Sequence, residues 1–330
     1  MAKIIGNLSC SKVPWEERPS DCKGPLWRYS GNPVIDRNPN DVCARVYNSA
    51  FVEYNDEFIG IFRGDGTDGI AKLYVGHSKD AIHFDIENEP VSFVDEEGKP
   101  FNTNWQYDPR VIPLEGKFYI VWCDEVENFP ALGIAYTEDF KKFVKLRNPF
   151  LPFNRNGVLF PKKINGLYTM LNRPSDGGHT RFGDIYISYS KDMHYWGGHK
   201  LVAKGGGKEW WRGIKIGAGA VPIETDEGWL LFTHGVGDNC NGFVYSIGGI
   251  ILDKDDPSIV KYDCSPYLLT PEMPYETTGF TSNVAFATCA LYDKDTGHIA
   301  IYYGAADTYT CIAFTTVDII IDYIKKHARK

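Results

Sequence analysis

The side chains with the most chemistry to offer lie at the ends of short, repeated β-hairpins. In Asn104-Trp-Gln-Tyr-Asp-Pro-Arg-Val111 a single acid, Asp108, sits between an aromatic residue and a proline. The residues that follow, Val111-Ile-Pro-Leu-Glu-Gly-Lys-Phe-Tyr-Ile-Val-Trp122, read as two strands joined by a turn at Glu115-Gly116. The setting recurs about five times along the chain. First strands begin near Asn48-Ser49, Tyr107-Asp108, Arg155-Asn156, Lys215 and Asn283, and second strands end at Arg63, Asp124, Arg173, His234 and Asp307. In an up-down hairpin those two places share one end. A ring of such hairpins would gather carboxylates, three arginines, a lysine and a histidine at one mouth.

Polar residues often merely end strands, and any one of these positions could be no more than that. Arg63, Arg173 and His234, however, each close a strongly apolar strand, and Lys215 enters the glycine-rich Ile216-Gly-Ala-Gly219, where a backbone or ligand can approach closely. Guanidinium forks match phosphate or carboxylate, and lysine adds a point charge, so the set suits an anionic ligand. No P-loop or dinucleotide fingerprint is present, so a nucleotide is not indicated. Trp105, Tyr107, Tyr245, Tyr303 and Phe101 lie near the same ends and suit stacking on sugar rings, although core packing is their ordinary role. Glycoside cleavage needs a proton donor for the leaving oxygen and a nucleophile at the anomeric carbon. With phosphate as nucleophile one carboxylic acid suffices. One well-placed acid among many cations therefore fits phosphorolysis better than hydrolysis. Two rivals stay open. A hydrolase would need a second carboxylate, for which Asp307 is the candidate. A non-catalytic sugar-binding module would not need Asp108 as an acid.

The elements that must position these residues are legible as repeats. Hairpin turns fall at Asn55-Asp56, Glu115-Gly116, Asn165-Gly166, near Asp226-Glu-Gly228, and at Asp295-Thr-Gly297. Further strands follow each hairpin, with Asp80, Asp139, Asp192 and Asp253 at the next turn of the first four units. Four strands per unit and five units predict an all-β, five-bladed β-propeller, with a β-sandwich as the alternative. Residues 1–47, with five prolines, read as an irregular arm packed on the body and pinned by Trp15 and Trp27. Residues 48–330 form a single propeller domain that ends in a short C-terminal helix over Val317-Asp-Ile-Ile-Ile-Asp-Tyr-Ile-Lys-Lys326.

Composition narrows the partners. The 330 residues carry a net charge of −8, which argues against nucleic acid and anionic membrane. The start of the chain lacks the apolar core of a signal peptide, and no later run is long enough to span a membrane. The eight cysteines form neither CxxC pairs nor a Cys/His metal pattern. A cytoplasmic protein with reduced thiols, no metal and no cofactor is expected.

Several motifs in order resemble glycoside hydrolase family 130, the β-mannoside phosphorylases. They are Tyr107-Asp-Pro-Arg-Val111, Pro152-Phe-Asn-Arg-Asn-Gly-Val-Leu-Phe-Pro161, Met170-Leu-Asn-Arg-Pro-Ser-Asp176, Lys215-Ile-Gly-Ala-Gly219, Thr233-His-Gly235 and Tyr302-Tyr-Gly-Ala-Ala-Asp307. The resemblance runs from about Trp15 to the last blade. It implies a five-bladed propeller and inverting phosphorolysis of β-mannosides to α-mannose 1-phosphate, with inorganic phosphate as a substrate. It places Asp108 as general acid, its proton passing through the mannose 3-hydroxyl. It assigns Arg155, Arg173, Lys215, His234 and Tyr245 to phosphate, and Asn48, Ser49, Arg63 and Asp307 to the mannosyl unit. Tyr107 and His179 would border the acceptor sugar. Asp65 and Asp124 are left as supporting groups or solvated turn residues. The short chain and proline-rich arm resemble the branch acting on β-1,4-mannooligosaccharides, with mannosyl-glucose and mannosyl-N-acetylglucosamine phosphorylases as alternatives. Arm-bearing members often assemble, which implies a homo-oligomer.

Overall fold

The computed structural model describes residues 2–329 except 102, 104, 128 and 176–182. Five sheets of four, six, four, five and four strands, in chain order of their inner strands, form the blades. The inner strands are Arg45–Tyr54, Gln106–Leu114, Asn154–Leu159, Lys215–Ala218 and Ala285–Tyr292. Each lies at one edge of its sheet. Neighbouring inner strands pack on one another: Arg45–Tyr54 touches both Gln106–Leu114 and Ala285–Tyr292, which brings the first blade against the last. The five-bladed ring read from the repeats is the observed fold.

The sequence reading misses how the ring is closed. Blade five takes its outermost strand from the arm: Trp27–Arg28 pairs with Tyr309–Thr316, Trp27 opposite Phe314 and Arg28 opposite Ala313. A two-residue strand has no periodicity to detect. Trp27 is 3% exposed, and its indole donates to the Glu16 carbonyl. Trp15 packs edge-on to Trp27 and face-on to His298. Arg28 forms two hydrogen bonds with the fully buried Glu276, through Nε at 2.7 Å and Nη2 at 2.9 Å. The closing helix spans Val317–Lys326, with Thr316 as its N-cap and Val317, Ile320, Ile321 and Ile324 buried at i, i+3, i+4 and i+7. No helix among the described residues is long and apolar enough to cross a membrane.

The recurrent aspartates have a structural cause. In blades one to three the third strand ends in a Ser or Thr two residues before the Asp. The hydroxyls of Ser78, Thr137 and Ser190 accept from the backbone N–H three residues on, each at 2.9 Å. Asp80, Asp139 and Asp192 accept from the next two N–H groups. These loops let Ala81, Phe140 and Met193 take positive φ with four successive N–H groups bonded in each.

A second repeated device sets the site. In blades one to three the inner strand carries a bulge two or three residues after its start: register jumps between Tyr47 and Ala50, Tyr107 and Arg110, and Arg155 and Val158. The first bulge residue is left-handed in each: Asn48 (φ 49°), Asp108 (φ 52°) and Asn156 (φ 52°). Asn and Asp tolerate that conformation best among residues with a Cβ. A bulge re-aims its side chain, here at three successive points around the channel mouth.

Candidate active site

The mouth holds a depression with two lobes. Both are walled by Arg63, Trp105, Tyr107, Asp108, Tyr245 and Phe286. One lobe, of about 540 Å³, adds Asn48, Thr281, Ser282 and Asp307. The other, of about 420 Å³, adds Arg155, Asn156, Arg173, Lys215 and His234. Asp108 lies on the border between an acidic, hydroxyl-rich lobe and a basic one.

Asp108 is 7% exposed. Its Oδ1 accepts from Asn48 Nδ2 at 2.8 Å and from Arg63 Nη1 at 3.0 Å. Both bonds end on one oxygen, which leaves Oδ2 for a ligand. Arg63 is fixed in turn by Asp65, whose Oδ1 accepts from Nε at 3.0 Å, and its guanidinium lies 4.1 Å above the Tyr47 ring. Asp65 also accepts from Tyr47 Oη at 2.7 Å and is 1% exposed. It is a buried support for Arg63 and not a solvated turn. Beneath Asp108 lies Arg110, wholly buried, an arginine in the middle of an apolar strand. Its Nη1 donates to the Asp108 carbonyl at 2.6 Å and its Nε to the Gly219 carbonyl at 2.9 Å. It ties the bulge of blade two to blade four. Asn156, placed at the mouth by the repeats without a role, lines the basic lobe, whereas Arg110 is missed, although an arginine two residues after the acid inside an apolar run is the available signal.

In the basic lobe Arg155 donates from Nε to Tyr107 Oη at 3.2 Å and from Nη1 to Ser175 Oγ at 2.8 Å. Arg173 Nη1 stands 2.9 Å from His234 Nε2. Burial, reinforced by Arg173, Arg110 and Lys215, holds the His234 pKa well below its ordinary value, so the imidazole is neutral and Nε2 accepts from Arg173. Burial also lowers the Arg173 pKa from its ordinary value. Among the described residues no carboxylate pairs with Arg173, so an anion entering this lobe meets a guanidinium that no described carboxylate neutralises. Gly217 is obligatory here, because a Cβ would stand 2.3 Å from His234 Cε1.

Other predicted residues fall differently. Ser49 is buried behind Asn48 and turns its hydroxyl to the Tyr47 carbonyl at 3.3 Å. Asp124 is 1% exposed and lies outside both lobe walls; burial pushes its pKa up to about 6, opposed by Lys145. Of the candidate stacking residues, Trp105, Tyr107 and Tyr245 line the depression. Tyr303 does not: it is 1% exposed and donates to Glu276 Oε1 at 2.8 Å. Phe101 packs near Lys145. His179 lies outside the described residues.

The family model described as "beta-1,4-mannooligosaccharide phosphorylase" matches residues 9–326. The chain belongs to glycoside hydrolase family 130. It is 50% identical, over 99% of its length and 98% of the relative's, to the β-1,4-mannooligosaccharide phosphorylase of Ruminococcus albus. It is 31% identical to a 1,2-β-oligomannan phosphorylase of a Thermoanaerobacter species, over 87% of this chain and 96% of that protein. Its fold superposes on the β-1,2-mannobiose phosphorylase of Listeria innocua with a TM-score of 0.80 at 24% identity, over 91% of this chain and 99% of that one.

Asp307 has a testable consequence for stability. Burial, opposed by Arg63 and Thr281, pushes its pKa up to about 6 from 3.8. Between those values the folded state holds more protons than the unfolded chain, so stability falls as pH rises through that window and stays lowered above it. Asp307→Asn removes the penalty. Its Tm should exceed that of the parent at pH 7.5, and the difference should shrink toward zero near pH 4. A Tm difference that does not change between those pH values would show that the surroundings do not raise the Asp307 pKa.

Proposed function

We propose that the chain phosphorolyses β-1,4-linked mannooligosaccharides, releasing α-mannose 1-phosphate and a shortened sugar. The observation that carries the reading is the division of the mouth: one acid on the border, hydroxyl and carboxylate groups on one side, and arginines with a lysine on the other. The terminal mannosyl unit occupies the lobe of Asn48, Arg63 and Asp307. Phosphate occupies the lobe of Arg155, Arg173, Lys215, His234 and Tyr245. The C1–O bond to the leaving sugar breaks as a phosphate oxygen bonds to C1 from the opposite face. The leaving oxygen takes the proton of Asp108, relayed through the mannose 3-hydroxyl. Phosphate is already an anionic nucleophile, so no catalytic base is needed, and the cations raise its local concentration and fix its direction. A hydrolase would need its second carboxylate on the nucleophile's side, whereas Asp307 lies in the sugar lobe. Mannose as acceptor is supported by the 50% identity to the R. albus enzyme.

The test is incubation with β-1,4-mannobiose with and without inorganic phosphate. Mannose 1-phosphate that forms only with phosphate, in the α configuration, is the expected product. Free mannose without phosphate would make the enzyme a hydrolase. Run in reverse from α-mannose 1-phosphate, the reaction should favour mannose over glucose and N-acetylglucosamine as acceptor.

A further inference from the structure

A second groove, of about 360 Å³, crosses blade three. It starts beside the catalytic mouth, since Asn154 and Asn172 directly precede Arg155 and Arg173, and those arginines face each other across the hairpin. From there it runs outward over the sheet to Trp196 on the outermost strand. Side chains alternate along a strand, so the groove and the phosphate lobe use opposite faces of one hairpin.

Its floor is a line of hydrogen bonds that takes one residue from each of the four strands. Asn154 Nδ2 donates to Asn172 Oδ1 at 3.1 Å, Asn172 Nδ2 donates to Ser188 Oγ at 2.9 Å, and Ser188 Oγ stands 2.8 Å from His199 Nδ1. With the Ser188 hydrogen given to His199, every donation runs outward. An acceptor is left over at the inner end and a donor, His199 Nε2–H, at the exposed outer end. The inner acceptor is Asn154 Oδ1, buried in a residue 6% exposed and without a partner among the described residues. Buried amide oxygens are rarely left so.

The walls are aromatic. Phe150 packs against Trp196 and His199, each with ring centroids 6.0 Å apart. Phe153 is 42% exposed at φ 72°. A bulky residue in that conformation is strained, and such strain persists only where the surroundings enforce it. Here its N–H donates to Pro130 at 2.6 Å and its carbonyl accepts from Ser175 at 2.7 Å, so the ring is held out at the groove.

We propose that this groove is a second carbohydrate-binding site, which holds a β-1,4-mannooligosaccharide apart from the one being cleaved. A sugar presents apolar C–H faces to aromatic rings and hydroxyls that both donate and accept, and the groove offers both kinds of partner. A lipid would leave the polar side chains of Asn154, Asn172 and His199 that line the groove unused. The proposal rests on the mannoside reading of the main site, but its test does not need turnover.

Binding of mannohexaose in phosphate-free buffer is measured by titration calorimetry for the parent, Phe153→Gly and His199→Ala. The parent should bind at two sites per chain, and each variant should lose one or weaken it at least fivefold. The kcat/KM for mannobiose should stay unchanged. Glycine relieves the strained φ, so Phe153→Gly should keep its Tm within a few degrees, which separates a binding role from a structural one. A single site in the parent, or variants that bind as the parent does, would overturn the proposal. So would a fall in sedimenting mass with sugar binding unchanged, which would make the groove a contact between copies of the chain. If mannobiose yields no sugar phosphate while two-site binding persists, the phosphorylase reading fails and the groove stands.

Discussion

Asp108→Asn should abolish turnover while leaving the sugar in place. The amide oxygen of the introduced asparagine can still accept from Asn48 Nδ2 and Arg63 Nη1, so the two bonds that orient the side chain survive. The Arg110 bond to the carbonyl at this position survives as well, because it uses the backbone. Asparagine also accepts the left-handed φ of 52° that the bulge demands. What is lost is the proton for the leaving oxygen. General acid catalysis is worth about a hundredfold to ten-thousandfold, and with an unactivated sugar as leaving group the loss should lie toward the upper end of that range. The expected result is a kcat for mannobiose phosphorolysis lowered by about a thousandfold or more, with mannobiose affinity in phosphate-free buffer within about threefold of the parent. A leaving group that needs no proton supplies the control: an activated aryl β-mannoside should recover much of the lost rate. If mannobiose turnover stayed above a tenth of the parent, the proton would come from elsewhere, and Asp307, which shares the sugar lobe, would be the next residue to replace.

The same bulge explains how far the sequence could be read. The blades were visible because each hairpin carries period-two apolar strands and a strong turn such as Asn165-Gly166, signals that belong to the local chain. The residues at the mouth were visible because repetition puts equivalent positions at equivalent places, so Asn48, Asp108 and the Arg155–Arg173 pair could be gathered without coordinates. What stayed hidden depends on contacts between blades. Arg110 reads as a stray charge in an apolar strand until blade four supplies the carbonyls of Gly219 and Ala218. Trp27–Arg28 reads as part of a proline-rich arm until Tyr309–Thr316 offers it an edge. Tyr303 and Asp124 show why strand-end position alone leaves a role open. Each is near a strand end in sequence, yet each turns away from the mouth, because position along a strand does not fix which face of a blade a side chain takes.

Arg173→Met should remove phosphate use without weakening the empty protein. Arg173 is 6% exposed, its pKa is lowered first by burial, and its partner is the neutral His234. Among the described residues no carboxylate pairs with Arg173, and a buried cation without a counterion costs stability until an anion arrives. In the parent, phosphate should therefore raise Tm. At a hundredfold excess over its Kd the linkage is about 2.7 kcal/mol, a shift of several degrees for a chain of this size. Methionine keeps most of the volume and drops the charge, so the Tm of the empty variant should equal or exceed that of the parent, and phosphate should shift it little. A hydrogen bond to a charged group is worth about 1.5–3 kcal/mol, which corresponds to a rise of roughly 10- to 150-fold in the KM for phosphate. Mannobiose binding without phosphate should hardly change, because the sugar lobe does not include Arg173. Lys215→Ala should behave alike in the KM for phosphate, and the two losses should not add fully, since both side chains serve one ligand in one lobe. If phosphate stabilised Arg173→Met as much as it does the parent, the basic lobe would not be where phosphate binds. The cations would then be holding the mouth together, and the nucleophile would have to enter from the Asp307 side.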